Sequence, residues 1–523
     1  MNKDILRAII EDFEPEKFTQ LFRAKNRSFA PRKEDISEFD DDSFQNGLKL
    51  GEMKFSNEGQ ELIVCTFESV KPLSERSSKK AQYEKGRKVL KQLQADAGIF
   101  IFYDKHNNFR FSLIYTNYLG KKRDWSTFRR FTYYVSPNQT NKTFLQRIGD
   151  GDFSTLAKIK EAFSVEKVTK DFYKDIANWY FWAVQNSQFP KDAEAEDNGR
   201  HISIIRLITR LIFIWFMRER GLVPKELFDK HKVRDILKDT SPDESTYYKA
   251  ILQNLFFATL STKQEERKFR NETRGHKGYN PDFGNQYVYR YHPLFNKPEK
   301  IEEYFGDIPF LNGGLFECLD DKQKRIYIDG FTSTKKHQPA VPNYLFFSEE
   351  TRADLNAEYG TKGKRYNVRG LLDTLSSYNF TIDENDPNDA EIALDPELLG
   401  KVFENLLASF NPETASTARK ATGSYYTPRE IVDYMVTQSL KEYVKTHLKD
   451  IQDLDNRIDK LFDGEETENP FTDTQSKRIV TLIDSIRIVD PAVGSGAFPM
   501  GILNKLVFIL GKLDPENKLW KEA

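Results

Sequence analysis

Cysteine is nearly absent: the chain has two, Cys65 and Cys318, far apart in sequence. That excludes a disulfide framework and any cysteine-rich zinc site. Histidine is scarce too, with seven residues in 523, and none falls at metal-ligand spacing. Net charge is missing: 30% of residues are charged, yet the formal sum is −1. A surface for nucleic acid must therefore be a local patch and not a property of the whole chain. Long hydrophobic runs are also lacking. The most membrane-like stretch, residues 202–217, is interrupted by Arg206 and Arg210. It is too short and too charged to span a bilayer, and reads as a buried helix. The first residues carry charges throughout and contain no signal-peptide core. These absences predict a cytoplasmic chain of about three domains, with no membrane partner.

Residues 1–165 are expected to form an α/β domain. Residues 61–70, 97–103, 109–115 and 131–135 have the β-branched and aromatic content of strands, and residues 76–93 read as a basic helix. From Lys71 to Arg130 fifteen Lys or Arg stand against five Asp or Glu, with aromatic residues interleaved. Such a patch suits phosphate-backbone contact with double-stranded DNA, with Lys79, Lys80, Arg87 and Lys88 as its candidates. Residues 166–395 read as a helical connector, with core helices at 172–184 and 202–217. The segment 383–389 is acidic and turn-prone, a linker by composition, and a helix is expected at 396–407.

Two short segments in the last part carry the chemistry. Residues 486–489 form a β-branched run ending in Asp490-Pro491, followed by a loop with Gly494 and Gly496 and then by apolar residues at helical spacing. Strand, glycine loop and helix make the opening of a doubly wound nucleotide-binding sheet. Pro499 breaks the G-x-G-x-x-G dinucleotide fingerprint, and no phosphate loop of the G-x-x-x-x-G-K type is present. Earlier, Thr422-Gly423-Ser424-Tyr425-Tyr426-Thr427-Pro428-Arg429-Glu430 reads as a helix start. Thr427 is its N-cap, Pro428 its first helical residue and Glu430 the closing residue of a capping box. Residues 453–477 between the two segments read as a polar excursion.

The pair TGSYYTPREIVDYMV and DPAVGSGAF, in that order, closely resembles adenine-specific (N6) DNA methyltransferases of restriction–modification systems, in particular the fused type IIG enzymes. The resemblance implies S-adenosyl-L-methionine as cofactor. It also implies binding roles for Tyr426, Thr427, Asp490, Pro491, Gly494 and Gly496. Residues 396–523 are then expected to be the beginning of a Rossmann-like methyltransferase domain. Other expected partners are double-stranded DNA and a specificity or partner subunit; the oligomeric state is not legible.

In type IIG enzymes the front domain is often a nuclease, which needs a carboxylate at a strand end and Glu-x-Lys on a neighbouring strand. This chain offers Asp40, Asp41, Asp42 or Glu52, then Glu68-Ser69-Val70-Lys71. Glu68 and Lys71 are three apart and would face opposite ways in a regular strand, so the motif is degenerate. Mg2+ is expected only if this domain cleaves DNA. An Asp/Asn-Pro-Pro-aromatic motif, which holds the flipped adenine in such methyltransferases, does not follow Gly496. Asn469-Pro470-Phe471 lacks one proline and lies before the glycine loop. No catalytic residue is therefore assigned in this chain. Two alternatives remain beside the methyltransferase: a fused endonuclease–methyltransferase, and a BREX-type defence methyltransferase without a nuclease.

Overall fold

The computed structural model describes residues 2–519 except 56–59, 75–76, 78, 120–121, 197, 271–281, 283–284, 312–313, 322, 382–388, 395–426, 428, 464–467, 492 and 494–495. The chain divides into two compact units, residues 1–406 and 407–523.

The first unit is built on a seven-stranded sheet. Its strands are β1 (Ala30–Asp35), β2 (Phe44–Phe55), β3 (Gln60–Ser69), β4 (Ala97–Tyr103), β5 (Phe109–Leu119), β6 (Lys122–Val135) and a last strand, Asp389–Glu391, beside β6. The pairs β3–β4 and β6 with Asp389–Glu391 are parallel, and the other four are antiparallel. The parallel β3–β4 step needs a crossover, which α3 (Lys79–Leu93) supplies. Strand β4, AGIFIFY, is buried along almost all its length because both sheet faces are covered. One face packs on α3 through Ile63, Cys65, Phe67, Val89, Phe100 and Ile114. The other packs on α1 (Asn2–Glu11) and α2 (Pro15–Lys25) through residues such as Leu6, Phe18, Phe22, Val64 and Phe111.

That second core does not stop near residue 165. It runs on through α6 (Val165–Asn186) and the Gly199–Glu219 helix to Leu394. The expected boundary at 165 therefore does not separate compact units, and the connector segment returns a strand to the front sheet. Helix α6 starts at Ser164, whose hydroxyl accepts from the Lys167 N–H. The Gly199–Glu219 helix is buried, as its composition predicts. Two of its arginines reach one carboxylate: Arg206 lies 3.0 Å and Arg210 3.2 Å from Asp329. The segment Tyr247–Leu260 is a π-helix of 14 residues, almost wholly buried. Among the described residues no helix is long and apolar enough to cross a membrane.

The second unit, among its described residues, consists of four helices: Arg429–His447, Leu454–Phe462, Asp473–Asp484 and Ala497–Leu513. They share a core of Val432, Val436, Leu440, Ile458, Leu461, Ile479, Ile483, Ile509 and Leu510. The polar excursion expected at 453–477 is thus corrected, since Leu454–Phe462 places Ile458 and Leu461 fully inside this core. A capping box of Thr472 and Gln475 starts the next helix. Lys512 donates to the carbonyls of Lys460, Leu461 and Asp463, capping the Leu454–Phe462 helix at its negative end. The strand expected at 486–489 is not formed. Ile488 is 47% exposed and Val489 84%, and no strand exists among the described residues of this unit to offer a hydrogen-bonding partner. A strand cannot persist without its ladder.

Candidate functional site

The two sequence segments lead into a pair of helices that pack together. The Arg429–His447 helix carries Val432 and Val436 against Gly501 of the Ala497–Leu513 helix. A Cβ at Gly501 would come 2.7 Å from Val432 Cγ1 and 3.6 Å from Val436 Cγ2. Asp433 and Lys505, 2.7 Å apart, flank that contact. Val432 is three residues into its helix and Gly501 four into its own, so both helix starts lie about one turn from the contact. Farther along, Lys441 lies 5.8 Å over the Phe462 ring and Lys512 donates to the Leu461 and Asp463 carbonyls beside it, so the two helices run parallel, and Thr427 and Gly496 belong to the same end of the pair. Thr427 and Asp490 are half-buried there, and Pro491 is exposed.

Gly496 is the N-terminal flank of the Ala497–Leu513 helix, at φ +83° and ψ 18°. Its N–H donates to Val493 O at 2.8 Å, closing a turn, and its carbonyl accepts from Met500 N–H at 2.9 Å. The left-handed backbone explains why glycine stands here. Among the described residues nothing lies within 4 Å of where its Cβ would be. The glycine thus opens a space in front of a helix N-terminus, whose free N–H groups favour an anionic or polar ligand group. A cofactor with a carboxylate and a long polar body fits that arrangement. Tyr426, Pro428 and Gly494 lie outside the described residues, and so does the expected 396–407 helix. Asn469-Pro470-Phe471 is a structural loop. Phe471 is buried, its N–H donates to Asn469 Oδ1, and Asn469 Nδ2 donates to Ser476 Oγ.

In the front unit Asp40 and Glu68 meet on Asn46, while Lys71 stands apart. Glu68 sits near the end of β3, where its carboxylate accepts from Asn46 Nδ2 at 2.7 Å. Asp40 accepts from the N–H groups of Asn46 and Gly47, both at 3.0 Å. Asp41 accepts from the N–H groups of Ser43 and Phe44 and pairs with Lys85. These carboxylates are therefore held by the turn into β2. Lys71 lies beyond the strand end and is exposed.

A Glu-x-Lys pair on one strand face occurs elsewhere, at Glu52-Met53-Lys54 of β2. Met53 points into the core, while Glu52 and Lys54 share the other face, 3.4 Å apart. A register shift between Lys49 and Gly51 brings Lys49 to the same side. Its ammonium lies 2.8 Å from Glu52 and 3.2 Å from Glu34 of β1. The hydrogen bond from Lys49 holds the Glu52 carboxyl below its ordinary pKa. Sequence reasoning counted Glu52 as a carboxylate but missed its pairing with Lys54, because mixed polar residues and the bulge disguise β2 as a loop. Among the described residues no group of three His, Cys, Asp or Glu could hold a metal ion.

Part of the basic stretch is spent inside the fold, while Lys71, Lys80, Lys88, Lys91, Lys105 and Arg129 are exposed. Arg110 and Arg130 are fully buried, and Lys85 nearly so. Lys79 lies 2.8 Å from Glu391, and Arg87 pairs with Glu84 at 3.2 Å. Of the four candidates for DNA contact, Lys80 and Lys88 are exposed on α3, while Lys79 and Arg87 have internal roles.

No family model and no solved structure matches this chain. A curated protein does: a protein of Methanocaldococcus jannaschii named "putative type II restriction enzyme and methyltransferase" is 26% identical over 396 residues. The match covers 68% of this chain and 27% of that protein, so the chain spans about a quarter of its relative's length. This chain is thus similar, at a distance, to a protein named for restriction and methyl transfer.

Proposed function

We propose that this chain is part of a site-specific DNA methyltransferase that transfers a methyl group from S-adenosyl-L-methionine to adenine N6 in duplex DNA. Restriction–modification or phage defence is its setting, in the cytoplasm. The observation that carries the reading is the placement of Thr427 and Gly496 at one end of a tightly packed helix pair, with open space at Gly496. Thr427, Asp490, Pro491 and Gly496 would hold the cofactor, together with Tyr426 and Gly494. The cofactor supplies the methyl group. The exposed, strand-ready segment at 486–489 and the outward apolar residues Ile431, Tyr434, Met435, Leu503 and Val507 favour a layered domain in which a sheet lies against these helices. The similarity to a restriction enzyme and methyltransferase supports the same setting. Equilibrium dialysis of radiolabelled S-adenosylmethionine against the full-length protein tests it. Binding is expected, and Gly496→Leu should abolish it while leaving the helical circular dichroism intact. Absence of binding to the wild-type protein refutes the reading.

A second reading, a fused endonuclease–methyltransferase, is favoured by one observation: Glu52 and Lys54 share a strand face, with Glu34 linked to them through Lys49. Plasmid nicking by the full-length protein with Mg2+ or Mn2+ tests it. Cutting lost in Glu52→Ala but kept in Glu68→Ala supports a nuclease on β2. Cutting that depends on Glu68 instead returns the site to the end of β3, and no cutting leaves the methyltransferase alone.

A further inference from the structure

We propose that Arg290 and Arg270, in the front unit, form a binding site for a phosphoryl oxyanion. Arg290 is 2% exposed. Its Nη2 donates to the Asn285 carbonyl, and its guanidinium lies 4.9 Å over the Phe331 ring. Its Nε and Nη1 are buried and have no hydrogen-bond partner among the described residues. Nor does a carboxylate pair with it among the described residues.

The fold treats its neighbours differently. Arg267, also buried, donates to the carbonyls of Thr259, Thr262, Phe305, Gly306 and Ile308. Arg210 has Asp329 and two carbonyls. A buried cation left without a counter-charge is costly, so Arg290 stands out as a group kept for something else.

A second guanidinium lies beside it. Phe269 bridges Tyr289, and the Arg270 N–H donates to Tyr289 O at 3.0 Å, so the two arginines leave adjacent strands of chain. Arg270 Nη1 donates to Ser333 Oγ at 2.7 Å, and its Nε is buried without a partner. Burial, and then the charge of Arg270, lower the pKa of Arg290. Two like charges would repel each other in an empty site, whereas an oxyanion between them would bind both. The nearby Asp320 does not fill this role, since its carboxylate already accepts from the N–H groups of Ile328, Asp329, Gly330 and Phe331.

Two guanidinium forks and a hydroxyl suit the several oxygens of a phosphoryl group. Exposed Lys335 and Lys336 on the Ser333 loop extend the positive field outward. The phosphoryl group could belong to free phosphate or a small phosphorylated compound, or to a nucleic-acid backbone. This inference is independent of methyl transfer.

The test follows the thermal midpoint of the full-length protein in inorganic phosphate against chloride of matched ionic strength, for wild type, Arg290→Met and Arg270→Ala. A saturating upward shift in the wild type, at least halved in Arg270→Ala and gone in Arg290→Met, is expected. An equal, non-saturating shift in all three proteins is the general effect of an excluded salt and overturns the proposal. If Arg290→Met does not fold, Arg270→Ala decides alone, and an unchanged shift there overturns the proposal. A duplex-DNA titration over a salt series then separates the sources. A salt slope reduced by about one in Arg270→Ala assigns the group to a nucleic-acid backbone. An unchanged slope beside a lost phosphate shift assigns it to a small phosphate compound.

Discussion

Replacing Gly501 by alanine sets two effects of known sign against each other. Alanine is a better helix former than glycine by about 1 kcal/mol, so an isolated Ala497–Leu513 helix would be stabilised. In the folded unit the new methyl would sit 2.7 Å from Val432 Cγ1, closer than two carbons can approach. Val432 is buried at 4% exposure, and its branched side chain has little rotamer freedom in a helix. The helices must therefore separate, and overpacking of this kind costs about 1–3 kcal/mol. The net expectation is a loss of up to about 2 kcal/mol for Gly501→Ala. The sign should invert when the obstacle is removed. In a Val432→Ala background the methyl has room, and Gly501→Ala should stabilise by about 1 kcal/mol relative to that parent, a coupling of about 1–3 kcal/mol. Hydrogen exchange of the 429–447 and 497–513 amides in the full-length protein reads this, because local opening of one unit need not follow global unfolding. If Gly501→Ala slows exchange equally in both backgrounds, the two helices do not touch there. The shared end for Thr427 and Gly496 would then be lost as well.

Two further outcomes are expected. Reversing Lys80 and Lys88 to Glu should weaken binding of duplex DNA and flatten its salt dependence, measured by fluorescence anisotropy. An unchanged affinity and slope would mean that these exposed lysines only solvate α3. Neither cysteine should react with a thiol reagent in the native protein at pH 8, and both should react in denaturant. Burial raises the Cys65 thiol to about 12 and Cys318 well above its ordinary value. Rapid labelling of the native protein would show that one of these sites opens.

Strands β3 and β4 and the two long central helices were legible because each is rich in apolar residues over seven positions or more; α3 was legible as a basic, helix-forming run. Strands β1 and β2 were not. The pattern of β1 is exposed except at Glu34, as befits an edge, and β2 is broken by a register shift that resets its alternation. The π-helix at Tyr247–Leu260 is apolar on every side, so no periodicity marks it. The inward positions of Lys85, Arg110 and Arg130 within the 71–130 stretch were not legible, because no count of side chains tells which way they point. The run at 486–489 was read as a strand from its residues alone. Yet a strand is a property of its neighbours, and the described residues of that unit supply none. Arg290 carries no signal in the sequence at all; only the absence of partners around it distinguishes it.

The strand Asp389–Glu391 has a consequence for how this protein can be recombined. It lies more than 250 residues after β6, yet it completes the front sheet and brings Glu391 to Lys79 and Arg110. A chimaera joined near residue 165 would inherit the sheet from one parent and its last strand from another. It would face the buried arginine with a foreign residue in place of its own glutamate. Shuffling between such proteins, in the laboratory or in a genome, should therefore tolerate crossovers that keep residues 1–394 together and purge those that fall between the helix Leu156–Ala162 and that strand.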